Sequence, residues 1–133
     1  MMNYYKLLNN YWRKKKSDYI KMVQKIRLLN FKDKVKVKPM SKPYRIDKAH
    51  QYGYKHKKGY KLYRIKINRH KNKKQARKGK IFGKTKSRGI VKKKLEISYK
   101  NQCALNLMKK ISHGKIVNIY WINEDRKAKY FEA

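Results

Sequence analysis

The sequence predicts a small α+β domain with long basic extensions, and three observations predict it. Two segments, about Asp18–Phe31 and about Ser98–Ile111, carry apolar residues at helical spacing. Two others, Tyr60–Ile67 and Ile116–Phe131, read as an alternating strand and as a strand-turn-strand hairpin rich in β-branched and aromatic residues. Lysine and arginine dominate the stretches between. The 133 residues suit one domain, expected to span 1–133.

The charge bounds the partner. Lys plus Arg number 41 against 7 Asp plus Glu, a formal net charge of +34. Such an excess opposes compaction unless counter-charge is supplied, which leaves nucleic acid, an anionic membrane or an acidic protein. Twelve tyrosines are unusual in a disordered polycation, so part of the chain is expected to pack or stack. The single cysteine, Cys103, rules out an intramolecular disulfide and fits a reducing compartment. The opening Met1–Trp12 lacks the apolar run of a secretory signal. No stretch approaches the ~20 apolar residues that span a bilayer, and the cations do not segregate to one face as in a membrane-surface helix.

From the amino end, residues 3–16 read as a short helix with Tyr4, Leu7, Leu8, Tyr11 and Trp12 at helical spacings, ending in Arg13-Lys14-Lys15-Lys16. Ser17 is the expected N-cap of a second helix, with Asp18 in its first turn, where a negative charge suits the dipole. Tyr19, Ile20, Val23, Ile26 and Leu29 or Asn30 form its expected packing stripe. Lys32 to Pro43 then alternates Lys with Val and meets both prolines, Pro39 and Pro43, which predicts an extended connector.

Residues 32–59 together form a basic connector ending in repeated Gly-Tyr pairs, Gly53-Tyr54 and Gly59-Tyr60. Glycine lets a backbone come close to something bulky, and tyrosine offers a ring and a hydroxyl. A splayed RNA base suits such a pair, while tyrosines packed at ordinary turns are the structural alternative, weaker for Tyr54 than for Tyr60 and Tyr63. The strand 60–67 would place Tyr63, Ile65 and Ile67 on one face and Arg64 and Lys66 on the other.

Residues 68–94 read as a basic loop of low hydrophobicity. No acid occurs between Asp47 and Glu96, and those 48 residues hold 20 Lys or Arg. A merely solvated face intersperses both signs. The last third is the most protein-like: a helix capped by Ser98 and ended near His113-Gly114, a buried strand Ile116–Ile122, a turn Asn123–Arg126 and a second strand Ala128–Phe131.

Chemistry beyond binding is not legible. Glu124-Asp125, the one adjacent acidic pair, reads as turn residues. Cys103 and the four histidines (His50, His56, His70 and His113) show no zinc-ligand spacing, and Cys103 reads as a small buried helix residue. Gly79-x-x-x-Gly83-Lys84 lacks the spacing and strand-to-helix setting of a phosphate loop. The expectation is no enzyme, no cofactor and no metal.

The pattern Arg45-x-Asp47-Lys48-Ala49-x-x-x-Gly53-Tyr54-Lys55-x-Lys57-x-Gly59-Tyr60-x-x-Tyr63-Arg64-Ile65 closely resembles the archaeal and eukaryotic large-subunit ribosomal protein L-fifteen-e family. Tyr11-Trp12-Arg13-Lys14-Lys15 with Ser17-Asp18, Lys78-Gly79-x-x-x-Gly83-Lys84, Arg88-Gly89-Ile90, Val117-Asn118-x-Tyr120-Trp121 and Tyr130-Phe131-Glu132 extend the likeness over nearly the whole chain. Two departures are Ile46 and Gln75-Ala76-Arg77, where the family usually has prolines. Family members also continue beyond the final strand with a basic tail, whose contacts are not carried over.

The resemblance implies an antiparallel sheet packed with helices, embedded in large-subunit ribosomal RNA beside neighbouring ribosomal proteins, in the cytoplasm, with no membrane and no small-molecule substrate. The residues expected to neutralise phosphate are Arg13 to Lys16, Arg45, Lys48, Lys55, Lys57 and Lys58, then Arg64, Arg69, Lys71, Lys73, Lys74, Arg77, Lys78, Lys84 and Arg88. Arginines would make bidentate contacts and lysines would act as point charges. Tyr54 would stack, and Gly53, Gly59, Gly79, Gly83 and Gly89 would let backbone amides approach the RNA. A DNA-compacting protein and an RNA-modifying enzyme are the competing classes. The first lacks a recognisable helix-turn-helix or finger, the second an acid/base pair or cofactor loop.

Overall fold

The computed structural model describes residues 3–14, 17–69, 84 and 97–133. In order these form α1 (Tyr4–Arg13), α2 (Asp18–Phe31), β1 (Val37–Met40), α3 (Ile46–Gln51), β2 (Leu62–Asn68), α4 (Tyr99–Lys110), β3 (Tyr120–Glu124) and β4 (Ala128–Glu132). The four strands make one antiparallel sheet in the order β1-β2-β4-β3, so the α+β expectation holds.

Strand alternation divides the core between the two faces of this sheet. On one face Val37, Ile65, Ile67, Ile119 and Phe131 pack with Cys103 and Leu107 of α4. On the other, Ile122, Ala128 and Tyr130 pack with Phe31 of α2 and Ala49 of α3. Both central strands are therefore covered on both faces. A register shift between Trp121 and Asn123 puts consecutive Ile122 and Asn123 on the α2 side, where the Asn123 amide donates to the Gln24 carbonyl at 2.9 Å.

The helices end where local chemistry dictates. Asn3 caps α1 by accepting from the Tyr5 N–H, and Ser98 caps α4 by accepting from the Asn101 N–H at 3.2 Å. Ser17 occupies the N-cap of α2 in extended backbone, but its side chain makes no capping bond. The extent of α4 agrees with expectation, but its end is not made by glycine. The helix stops at Lys110 with Ile111 extended, three residues before Gly114.

There are four further differences. The connector around the prolines contains β1, because Pro39 sits on the sheet's edge, where a strand tolerates a missing donor. The basic segment after Arg45 contains α3, whose end is a Schellman motif: the Tyr54 N–H reaches the Ala49 carbonyl at 2.9 Å and the Gly53 N–H reaches that of His50 at 3.0 Å. The strand of the last third begins at Tyr120, and residues 114–119 before it are irregular. The stripe of α2 is rotated, with Ile20 and Phe31 buried while Tyr19 is 72% and Leu29 67% exposed. Arg27 takes the inward position instead, its guanidinium carbon 5.8 Å from the Trp12 ring centroid and 5.5 Å from that of Tyr44, and its guanidinium donates to the Tyr44 carbonyl at 3.0 Å.

Candidate nucleic-acid interface

The acids set the electrostatics, because the fold uses them internally. Asp47 is buried and accepts from Arg45 at 2.7 Å. Glu132, fully buried, accepts from the Tyr44 N–H at 2.6 Å, and burial pushes its carboxyl above the usual range. Asp33 takes Arg64 and Lys38, and Glu124 takes Arg69 and Lys129. Asp125 holds the β3–β4 turn by accepting from the Lys127 and Ala128 N–H groups at 2.6 Å each. Asp18, paired with Lys21, is the one fully exposed acid among the described residues.

This arrangement sorts the expected phosphate ligands. Arg64 is 2% exposed and donates to Asp33 and to the Asn30 carbonyl. Arg45 is 7% exposed, paired with Asp47, its guanidinium 4.4 Å from the Trp12 ring centroid. Both are corrections: these guanidiniums hold the protein together. The strand face expected to be cationic surface is instead buried under α2. There Arg64 and Lys66 neutralise carbonyls at and just past its C-terminal end, Lys66 reaching the Asp33 carbonyl at 2.9 Å.

Other residues remain at the surface. Arg13 and Lys14 are exposed at the end of α1, and Lys55, Lys57, Lys58 and Lys84 are exposed as well. Lys48 is half-buried, bonded to Gln51 at 2.7 Å and 5.6 Å from the Tyr52 ring. Arg69 is partly exposed and paired with Glu124 at 3.0 Å. Lys15, Lys16, Lys71, Lys73, Lys74, Arg77, Lys78, Arg88, Gly79, Gly83 and Gly89 lie outside the described residues.

The Gly-Tyr pairs form a built corner. Gly53 has φ +86° at the end of α3. Gly59 has φ +94° in the turn closed by the Tyr60 N–H on the Lys57 carbonyl at 3.2 Å. A side-chain carbon at either glycine would meet nothing within 4 Å, so the demand is conformational. Tyr54 and Tyr60 meet edge to face at 6.4 Å, and Lys57 lies 5.9 Å from the Tyr60 ring. The balance between packing and stacking is the reverse of that expected: Tyr54 is half-buried against the core, Tyr60 is exposed.

Sequence reasoning missed what this corner faces. A cavity of about 390 Å³ lies between it and the far end of α4, with Tyr52, Lys61, Met108, Lys115 and Val117 in its lining. Residues more than forty positions apart build it, so no local pattern announces it. Cys103 does not line this cavity; it is fully buried, and burial pushes its thiol up to about 12. Among the described residues no group of three His, Cys, Asp or Glu could hold a metal, and no helix is long and apolar enough to cross a membrane.

Comparison with known proteins bears on these surfaces. A protein-family model described as Ribosomal L15 matches residues 3–133. The chain is 34% identical over 131 residues to the large ribosomal subunit protein eL15z of Picea mariana, covering 98% of this chain and 64% of that protein. It is 32% identical over 132 residues to the large ribosomal subunit protein eL15A of Saccharomyces cerevisiae, covering 99% and 65%. It is 31% identical to that of Drosophila melanogaster over 99% and 65%. The chain thus spans about 65% of the length of these relatives.

Proposed function

The chain belongs to the ribosomal L15e family, and from that premise we propose that it is a structural component of the large ribosomal subunit that binds and steadies folded ribosomal RNA. Its place is then the cytoplasmic ribosome, and its partners are that RNA and adjoining ribosomal proteins. The role is architectural, with no catalytic step. The observation that carries the reading is the disposition of charge. In a chain of net charge +34, every described acid is buried, paired with a cation of the same chain or holding a turn. Lys55, Lys57 and Lys58 stand exposed around a glycine-bent turn, in no ion pair among the described residues. Cations so placed neutralise phosphates and release condensed counterions.

The test is the salt dependence of binding to a folded large-subunit RNA fragment. With ~10 phosphates neutralised, log affinity against log salt falls with a slope of about −7 to −9. A slope shallower than about −3, or duplex DNA outcompeting the RNA, rejects the reading.

A further inference from the structure

We propose that the cavity between the Gly-Tyr corner and the end of α4 receives one unpaired RNA base, whose adjoining phosphates lie on Lys57, Lys58 and Lys61. The inference rests on the RNA-binding reading above and gives it a site and a ligand form. Two concavities share one wall. The first, about 390 Å³, is lined by Tyr52, Tyr54, Tyr60 and Tyr63 on one side and by Leu107, Ile111 and Val117 on the other. That size lies within the ~300–1,000 Å³ typical of small-ligand sites. The second is about 460 Å³, shares Tyr54, Tyr60, Lys61, Leu62 and Tyr63, and adds His56, Lys57 and Lys58. An aromatic hollow and a cationic hollow therefore stand back to back across Tyr54 and Tyr60.

A nucleotide has the matching form, a flat apolar ring system joined through a sugar to an anion. An uncharged apolar ligand would leave the lysines unanswered, and a phosphate alone would leave the tyrosines unanswered. Gly59 lines the cavity with open space where a side chain would begin, so a base edge can come up to the backbone there. Stacking on tyrosine requires no particular base, because every base offers a π-face. Lys115, on the opposite wall, is placed to meet the strand leaving the cavity.

The experiment uses the full chain and three hairpin RNAs: one with a single bulged nucleotide, one with an abasic ribose at that position, and one fully paired. Dissociation constants are measured at about 0.3 M salt, where the sequence-independent phosphate contribution is weakened. The bulged RNA is expected to bind about 5- to 150-fold tighter than the abasic one, the effect of stacking one base on aromatic rings. Tyr60→Ala and the bulkier Tyr60→Leu bring that ratio towards one with little change for the abasic RNA. Lys57→Ala with Lys58→Ala weakens both alike. Equal affinity of wild type for bulged and abasic RNA overturns the base site and leaves the RNA-binding reading standing. Failure to bind any of the three removes both. The wild-type comparison stands whether or not the variants fold.

Discussion

Arg64 on the central strand donates to Asp33, just past the end of α2, with its guanidinium 5.3 Å from the Phe31 ring centroid. One cation thereby joins sheet, helix end and core. Arg64→Ala leaves Asp33 with Lys38 as its only ion-pair partner among the described residues and uncovers the Asn30 carbonyl. It is expected to destabilise the fold by about 3 kcal/mol, the low end for a broken buried pair because Asp33 retains some access to water. Urea unfolding measures this, and RNA affinity of the folded fraction should change little. A large affinity loss at unchanged stability would return Arg64 to the RNA-binding set.

The exposed lysines should behave in the opposite way. Replacing Lys55, Lys57 and Lys58 together by alanine removes three surface charges in no ion pair among the described residues. Stability is expected to stay within about 0.5 kcal/mol, while the salt slope of RNA binding becomes shallower by about 2 to 3. Parallel thermal melts and salt titrations separate the two effects.

Glu132 supplies a pH signature. Burial is the main reason its carboxyl titrates above the usual range, although Tyr44, Tyr120, Arg45 and Arg27 all act to lower it. A carboxyl whose folded pKa is raised contributes stability below its unfolded pKa and loses it as pH rises through the folded value. Glu132→Gln cannot ionise, so its stability relative to wild type should increase as pH rises above the ordinary carboxyl range of about 4. Denaturant midpoints across that rise check it; a gap that narrows with rising pH contradicts the assignment.

Gly53 and Gly59 isolate the cost of backbone conformation, since neither site is crowded. Alanine at either, held at φ near +90°, is expected to cost about 1–2 kcal/mol. Asparagine at Gly53 should cost less, because it tolerates the left-handed conformation at a helix end. Equal losses for alanine and asparagine in melting experiments would point to packing instead.

Local signals made much of this protein legible. The extents of α2 and α4, the Ser98 cap, the β2 alternation and the β3–β4 hairpin all depend on residues within a few positions of one another, whereas the buried face of α2 does not. The excess of positive charge is a property of composition, and the motif from Arg45 to Ile65 carries the family. The α3 helix carries a local signal only at its end, in Gly53 followed by Tyr54, because the sequence of Ile46–Gln51 is too polar to show an apolar period.

The sequence by itself therefore determined the longer elements, the charge and the kinship. Tertiary structure alone decided which cations face outward. Arg64 and Lys58 are indistinguishable as letters in a basic chain, but Arg64 is placed by antiparallel pairing under the end of α2, where a carboxylate and helix carbonyls await it. Lys58 falls on a turn that nothing in the described structure covers. The cavity was likewise decided only in three dimensions, because its two walls meet through strand register and α4 packing rather than through any run of neighbouring residues. Burial and pairing are relations between distant parts of a chain, and a local pattern carries no information about its distant partner.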